Sequence, residues 1–388
     1  MYDITSFVDK VKTPAYVMDE RLLIHNLQIL KEVREKTGAK ILLAQKAFSM
    51  FSVYPLISQY LDGTTASGLY EARLGKEEMG NREVHVYAPA YKEEDMRELV
   101  QFCDHIVFNS PKQWKKFRGL VEASGRKISC GLRINPQYAE VETDLYNPCI
   151  AGSRLGTTIS QINEEDLEGI TGLHFHTMCE QDADVLWRTV QIVDEKFGHL
   201  LKKMKWINFG GGHHITREGY QMDLLEKSIR LFQEKYDLEV YLEPGEAIAL
   251  NAGFLVSEIL EIGENEKKIA IFDTSAACHM PDVLEMPYSP NILQDGQVCK
   301  PYHGEAHLFP YRLGGPTCLA GDVIGDYGLV KELKEGDRLV FCDMAIYTMV
   351  KNNTFNGMPL PSIYLFTKEQ ELKLIRQFDY TDFKNRLS

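Results

Sequence analysis

Lys40-Ile41-Leu42-Leu43-Ala44-Gln45, with Lys46 following at once, is the stretch on which the fold turns. A short run of Ile and Leu between a helix-like segment and a polar stop reads as a strand covered on both faces. An ammonium at the end of such a strand is costly to bury without a partner. For a lone lysine the ordinary reading is a solvated strand tip, so the segments around it decide what Lys46 is for.

Outward from this strand the chain alternates. Leu22, Leu23, Leu27, Leu30 and Val33 recur at helical spacing over 20–36. Further helical patterns at 52–61, 68–79, 92–102, 111–123, 162–168, 183–203 and 219–235 separate strand-like runs at 64–67, 84–87, 105–108, 128–133, 172–176, 206–209 and 239–243. Eight short strands alternating with helices over roughly 250 residues predict a (β/α)8 barrel. The competing arrangement, an open doubly wound sheet, is disfavoured because no Gly-x-Gly-x-x-Gly follows the first strand. The expected fold class is therefore α/β, with a TIM-like barrel over 15–250. From 251 to 388 the texture changes: 253–256, 268–272, 306–309 and 338–341 read as strands of an antiparallel β domain punctuated by Gly and Pro.

Composition narrows the function classes. With 388 residues and 44% hydrophobic content the chain can bury a sizeable core, and its net charge of −13 argues against a nucleic-acid surface. No apolar run reaches the about 18 residues of a membrane span. Met1-Tyr2-Asp3-Ile4 has neither the basic nor the apolar region of a secretory signal. The eight cysteines are scattered with no Cys-x-x-Cys pair, which favours reduced thiols and a cytoplasmic location.

Barrel chemistry sits at the C-terminal ends of the strands, where Lys46, Arg133, His176, Gly210 and Glu243 all fall. Gly210-Gly211-Gly212, after the seventh strand, reads either as a tight turn or as a backbone cradle for phosphate, and its position favours the cradle. Glu243-Pro244-Gly245-Glu246 ends the eighth strand; a carboxylate there could keep a pyridine nitrogen protonated. His174 and His176 share one strand face. With Cys179 and Glu180 nearby they could be read as a metal site, but no second ligand cluster has suitable spacing, so no metal is expected. His213-His214 raises the same question. An aldehyde cofactor held by Lys46 as a Schiff base accounts for these residues together. In the β-rich half, Cys318 and Tyr347 say little alone.

Taken together these stretches resemble the barrel-type pyridoxal-phosphate decarboxylases, the group containing ornithine and diaminopimelate decarboxylases, over nearly the whole chain. The resemblance implies pyridoxal 5'-phosphate bound through Lys46, His176 stacked on its ring, and Arg133 beside it. It also implies phosphate at Gly210, Gly211, Gly212 and Gly245 with a hydroxyl from Tyr347, and Glu243 on the pyridine nitrogen. It implies a homodimer with shared active sites into which Cys318 reaches, and residues 1–14 joining the β-rich domain. Departures narrow the substrate. Glu246 stands where the family usually has Arg. Leu319 follows the cysteine where an acid is usual, with Asp322 three further on. His176-Thr177-Met178-Cys179 replaces a small Gly/Ser pattern. An anion in place of a cation repels a distal carboxylate and attracts an amine.

Residues 273–288, Ser153-Arg154-Leu155-Gly156 and 174–180 are similar to the branch acting on carboxynorspermidine and carboxyspermidine. A carboxylated polyamine is thus the expected substrate, with Glu246, Asp282, Glu285 and Asp322 as candidate amine ligands and Cys318 as a proton donor. Decarboxylation of ornithine, arginine, lysine or diaminopimelate is the nearest alternative. A racemase fits less well with Glu243. A cofactor-free regulatory homologue fits less well with Lys46, the triple glycine and Glu243 present together.

Overall fold

The computed structural model describes residues 6–388. Residues 1–5, where the absence of a signal segment was read, lie outside the described part. The chain divides into two compact units: Asn26–Ile248, and the residues up to His25 together with Ala249–Ser388.

The first unit is the expected barrel. Naming strands in chain order, β1 (Ala15–Asp19) belongs elsewhere. β2 (Lys40–Ala44), β3 (Gly63–Ala66), β4 (Glu83–Tyr87), β5 (His105–Phe108), β6 (Ser129–Arg133), β7 (Gly172–His174), β8 (Trp206–Asn208) and β9 (Glu239–Leu242) form, among the described residues, a closed parallel barrel. β2 pairs both β3 and β9, which closes the ring. The strands are short because each needs only to cross the barrel wall. All eight begin and end within a residue or two of the runs expected from sequence. The helical patterns hold with two exceptions: 52–61 is a 3-10 turn followed by the single turn Tyr54–Ile57, and 162–168 is a 3-10 turn at Glu164–Leu167.

The N-terminal end of the barrel is closed by charge. Lys40 Nζ lies 2.6 Å from Glu83 and 3.1 Å from Glu239. His85 Nε2 is 2.9 Å from Glu83, and the His105 ring stacks on His85 at 3.9 Å. Above this layer Leu42, Val107, Trp206 and Tyr241 pack together. Trp206 fits because β6 and β7 present Gly131 and Gly172 to it; a Cβ on Gly172 would stand 2.0 Å from the indole. The bottom is plugged, so the opposite end is the mouth.

The second unit is a mixed sheet rather than a purely antiparallel one. Its further strands are β10 (Gly253–Asn265), β11 (Lys267–Phe272), β12 (Ile292–Gln294), β13 (Gln297–Cys299), β14 (Phe309–Gly314), β15 (Val323–Leu329), β16 (Arg338–Cys342), β17 (Ser362–Phe366) and β18 (Leu372–Arg376). The order is β13-β12-β16-β10-β1-β17-β18, with β11, β14 and β15 running off β10. The pairs β1–β17 and β11–β14 are parallel. Residues 306–308, expected to start a strand, form a turn before β14.

β1 corrects the expected boundary. It was placed with the barrel because it leads into the first helix, yet Ala15–Met18 pair with β10 and Ala15–Asp19 with β17. All five of its residues are buried. A fully buried apolar run must be hydrogen-bonded on both edges, and sequence alone does not say by which sheet. Phe7, Val11, Val17, Phe254, Val340 and Phe366 form one core of this unit.

Candidate active site

β2 stops at Ala44, so Gln45 and Lys46 lie in the turn beyond the strand. Lys46, Thr65, Ser67, Tyr87, Arg133, His174, His176 and Glu243 line one cavity in the barrel mouth. Six barrel strands or the turns after them thus converge on it. Lys46 is an exposed side chain on the wall of this cavity. The surrounding walls and then the Arg133 guanidinium hold its ammonium below the usual lysine range. Lowering the pKa favours the neutral amine, which is the nucleophilic form of lysine.

Opposite lies Glu243, buried at 8% exposure. Burial alone would raise its pKa. His174, through its charge when protonated and then through its hydrogen bond, and the Thr65 side chain overcome that and bring it down to about 2. His174 Nε2 is 3.1 Å from Glu243 Oε2, and Asn208 Nδ2 donates to Oε1 at 2.8 Å. Burial holds the His174 pKa below its ordinary value against the pull of Glu243, and because a carboxylate only accepts, Nε2–H is the donor.

His176 lies just past the end of β7. Its Nδ1 accepts the Gly211 N–H at 2.7 Å, and its carbonyl accepts from Arg133 at 3.1 Å. Burial and then the nearby Lys46 and Arg133 charges hold its pKa well below the ordinary value. The ring is therefore a neutral, flat, fixed surface. Both histidines have a ring nitrogen committed in this way, which leaves the pair poorly suited as joint metal ligands.

The triple glycine is a close-approach turn. Gly210 and Gly212 have φ of +69° and +82°, a region open mainly to glycine. A Cβ on Gly211 would stand 2.3 Å from the Glu243 carbonyl oxygen, and one on Gly212 2.0 Å from that of Met178. Two of the three N–H groups are used within the protein: Gly210 to Asn208 Oδ1 and Gly211 to His176 Nδ1. The turn thus locks the neighbouring side chains besides presenting backbone to the mouth. Gly245 is also a packing glycine, since a Cβ there would meet that of Ala47 at 2.7 Å.

The acids read as amine ligands all have protein partners. Glu246 Oε2 is 3.2 Å from His214 Nε2, with Glu180 close by; these carboxylates raise the His214 pKa against the effect of burial. Lys351 Nζ is held by both Asp282 and Glu285. Asp322 is buried and accepts from the Ser275 and Thr317 hydroxyls and from the Ala277 and Thr317 N–H groups. It is bonded as the anchor of its own turn. Cys318 is exposed, with its N–H on Asn356 Oδ1. Tyr347 sits at φ +48°, a strained backbone for an aromatic residue.

Sequence reasoning missed Thr65, Tyr87 and Asn208. Asn208 was legible as a polar residue two before Gly210, and Thr65 as the polar inward position of β3. Tyr87 offered no signal: its role beneath the Arg133 guanidinium, 4.6 Å from the ring centre, exists only once β4 and β6 are neighbours of β5.

This donor set suits an aldehyde-bearing pyridine cofactor. An activated lysine, a fixed flat imidazole and a buried anion share one cavity, with a turn too tight for any Cβ beside them. The family model described as "Pyridoxal-dependent decarboxylase, C-terminal sheet domain" matches residues 15–345. The chain belongs to this family. It is 45% identical, over 98% of its length and all of the other's, to a carboxynorspermidine/carboxyspermidine decarboxylase of Campylobacter jejuni. It is 42% identical, over 98% of its length and 96% of the other's, to a carboxyaminopropylagmatine decarboxylase of Synechocystis. The crystal structure of a C. jejuni carboxynorspermidine decarboxylase complexed with norspermidine superposes with a TM-score of 0.89 at 43% identity, covering 97% of this chain and all of that one. Like other members of the family, this chain is a pyridoxal-dependent carboxy-lyase with the barrel-plus-sheet fold.

Proposed function

We propose that this decarboxylase removes the α-carboxylate of carboxynorspermidine or carboxyspermidine, releasing norspermidine or spermidine, with pyridoxal 5'-phosphate as cofactor. The observation that carries the reading is the convergence of Lys46, His176 and Glu243 on one cavity in a chain 45% identical, end to end, to a relative bearing that name.

When bound, the cofactor supplies a protonated ring that accepts the electron pair left as CO2 departs. The chain's residues do the rest. Lys46, its pKa lowered toward the neutral amine, would hold the cofactor through its aldehyde. Glu243, ionised and fixed, holds the proton on the ring nitrogen. His176 presents its neutral face to the ring, and Arg133 flanks it. Gly210, Gly211, Gly212 and Gly245 let phosphate approach backbone, with Tyr347 adding a hydroxyl. Cys318 returns a proton to the α-carbon of the product, in a homodimer whose sites are shared. Asp282 and Glu285 are the best-supported amine ligands, because the pair already holds an alkylammonium, that of Lys351. Glu246 and Asp322 serve as further negative charge. The scattered cysteines form no disulfide among the described residues, which supports a reducing, cytoplasmic setting. No helix of the described residues is long and apolar enough to cross a membrane.

A second reading, a guanidinium-ended carboxylated polyamine, is favoured by the 42% identity to the Synechocystis enzyme. CO2 release from carboxynorspermidine, carboxyspermidine, carboxyaminopropylagmatine, ornithine, arginine, lysine and diaminopimelate separates these. The proposal requires the highest kcat/KM on one of the first two. Preference for the third moves the assignment to the second reading, and preference for any simple amino acid overturns both.

A further inference from the structure

The Glu243 carboxylate is held at both oxygens by neighbouring side chains. Asn208 Nδ2 takes Oε1 at 2.8 Å and His174 Nε2 takes Oε2 at 3.1 Å. Asn208 has no freedom to flip, because its Oδ1 accepts the Gly210 N–H at 2.8 Å. His174 is 2% exposed. Its ring lies 5.6 Å from that of Tyr87 at 26° between planes, and the Arg133 guanidinium sits over the same tyrosine. Its Nδ1 is buried with no hydrogen-bond partner among the described residues.

That unpartnered nitrogen is informative. A buried polar atom without a partner is a cost that native proteins generally avoid. Here it restricts the imidazole to one tautomer: a proton on Nδ1 would face no acceptor, so the proton sits on Nε2, toward Glu243. Burial, helped by the Arg133 and Lys46 charges, outweighs the pull of Glu243 and holds the His174 pKa below its ordinary value, which disfavours a second proton. The neutral donor therefore leaves Glu243 its full negative charge, where an imidazolium would cancel it.

We infer that His174, together with Asn208, is a positioning residue that keeps Glu243 ionised and aimed, so that the proton between carboxylate and cofactor rests on the ring nitrogen. Hydrogen bonds to a carboxylate favour its charged form. Without the His174 donor, the buried carboxylate becomes more basic and competes for that proton. The inference rests on the proposed pairing of Glu243 with the ring nitrogen.

The test uses the holoenzyme loaded with cofactor labelled with 15N in the ring, whose chemical shift reports protonation of that nitrogen, alongside kcat and KM. His174→Leu removes the donor and should move the 15N signal toward the unprotonated position. It should also lower kcat by roughly 10- to 100-fold, the range for losing a hydrogen bond to a buried charge, with KM changed less than threefold. His174→Gln, which restores an N–H of similar reach, should recover most of both. If His174→Leu does not fold, His174→Asn makes the same comparison, because its shorter amide cannot span to Glu243. Glu243→Gln separates the two levels of the argument. A ring nitrogen still protonated in Glu243→Gln removes the underlying pairing. A shift in Glu243→Gln with none in the His174 variants overturns the positioning role alone.

Discussion

Replacing Gly211 by alanine should loosen the cofactor site by an amount the structure sets. The added Cβ would lie 2.3 Å from the Glu243 carbonyl oxygen, whereas ordinary contacts begin near 3.4 Å, so about 1 Å of movement is needed. Neither side yields freely. The Glu243 N–H is bonded to the Gly210 carbonyl at 2.8 Å, and the Gly211 N–H is bonded to His176 at 2.7 Å. Forcing a methyl group into such packing costs about 1–3 kcal/mol. The groups that must move carry His176 and Glu243, which line the cavity proposed for the cofactor, so the cost should fall on binding as well as on folding. Titrating cofactor-stripped protein with pyridoxal 5'-phosphate and following visible absorbance should show a Kd weakened roughly 5- to 100-fold. The melting temperature should fall by roughly 2–4 °C per kcal/mol. Gly119→Ala is the control: nothing lies within 4 Å of its Cβ position and it sits in the helix Pro111–Ala123. That change should stabilise by about 0.5–1 kcal/mol with Kd unchanged. Wild-type Kd and melting temperature in Gly211→Ala would refute the close-packed turn as an element of the site.

Other outcomes follow from particular contacts. Lys46→Ala should abolish turnover and the absorbance of lysine-linked cofactor, and retention of either counts against Lys46. Glu243 has its pKa lowered from 4.5 to about 2, so the folded state binds this proton less tightly than the unfolded one. Its stabilisation is complete above pH 4.5 and lost as pH falls through 2, worth roughly 3 kcal/mol. Urea unfolding of cofactor-free Glu243→Gln should accordingly show a shallower loss of stability across that window than wild type. Asp322→Ala strips acceptors from Ser275, Ala277 and Thr317 and should cost about 2–4 kcal/mol in chemical unfolding, while an unchanged midpoint would deny it the anchoring role. Lys351→Ala should lower KM for the carboxylated polyamine by freeing Asp282 and Glu285, whereas Asp282→Asn should raise it; movement of neither would remove that pair from substrate binding.

The eight barrel strands were legible because most are short apolar runs that have to be covered on both faces, and most of the segments between them keep helical periodicity. The ends of those strands then marked Lys46, Arg133, His176, Gly210 and Glu243 before any coordinates. What sequence could not supply was pairing across distance. β1 reads the same whether it joins a barrel or a sheet, and only its hydrogen bonds to β10 and β17 place it. Carboxylates read singly as amine ligands proved to have partners such as His214, Lys351 and Thr317, remote in sequence or hidden by a turn.

By itself, then, the order of residues determined the barrel, the lysine and the acid of the eighth barrel strand, because periodicity and strand-end position are local properties. Tertiary structure decided which side chains set the charge of those residues. His174, Asn208 and Thr65 come from three different strands, and the field they create at Glu243 exists only where β3, β7, β8 and β9 close around one cavity.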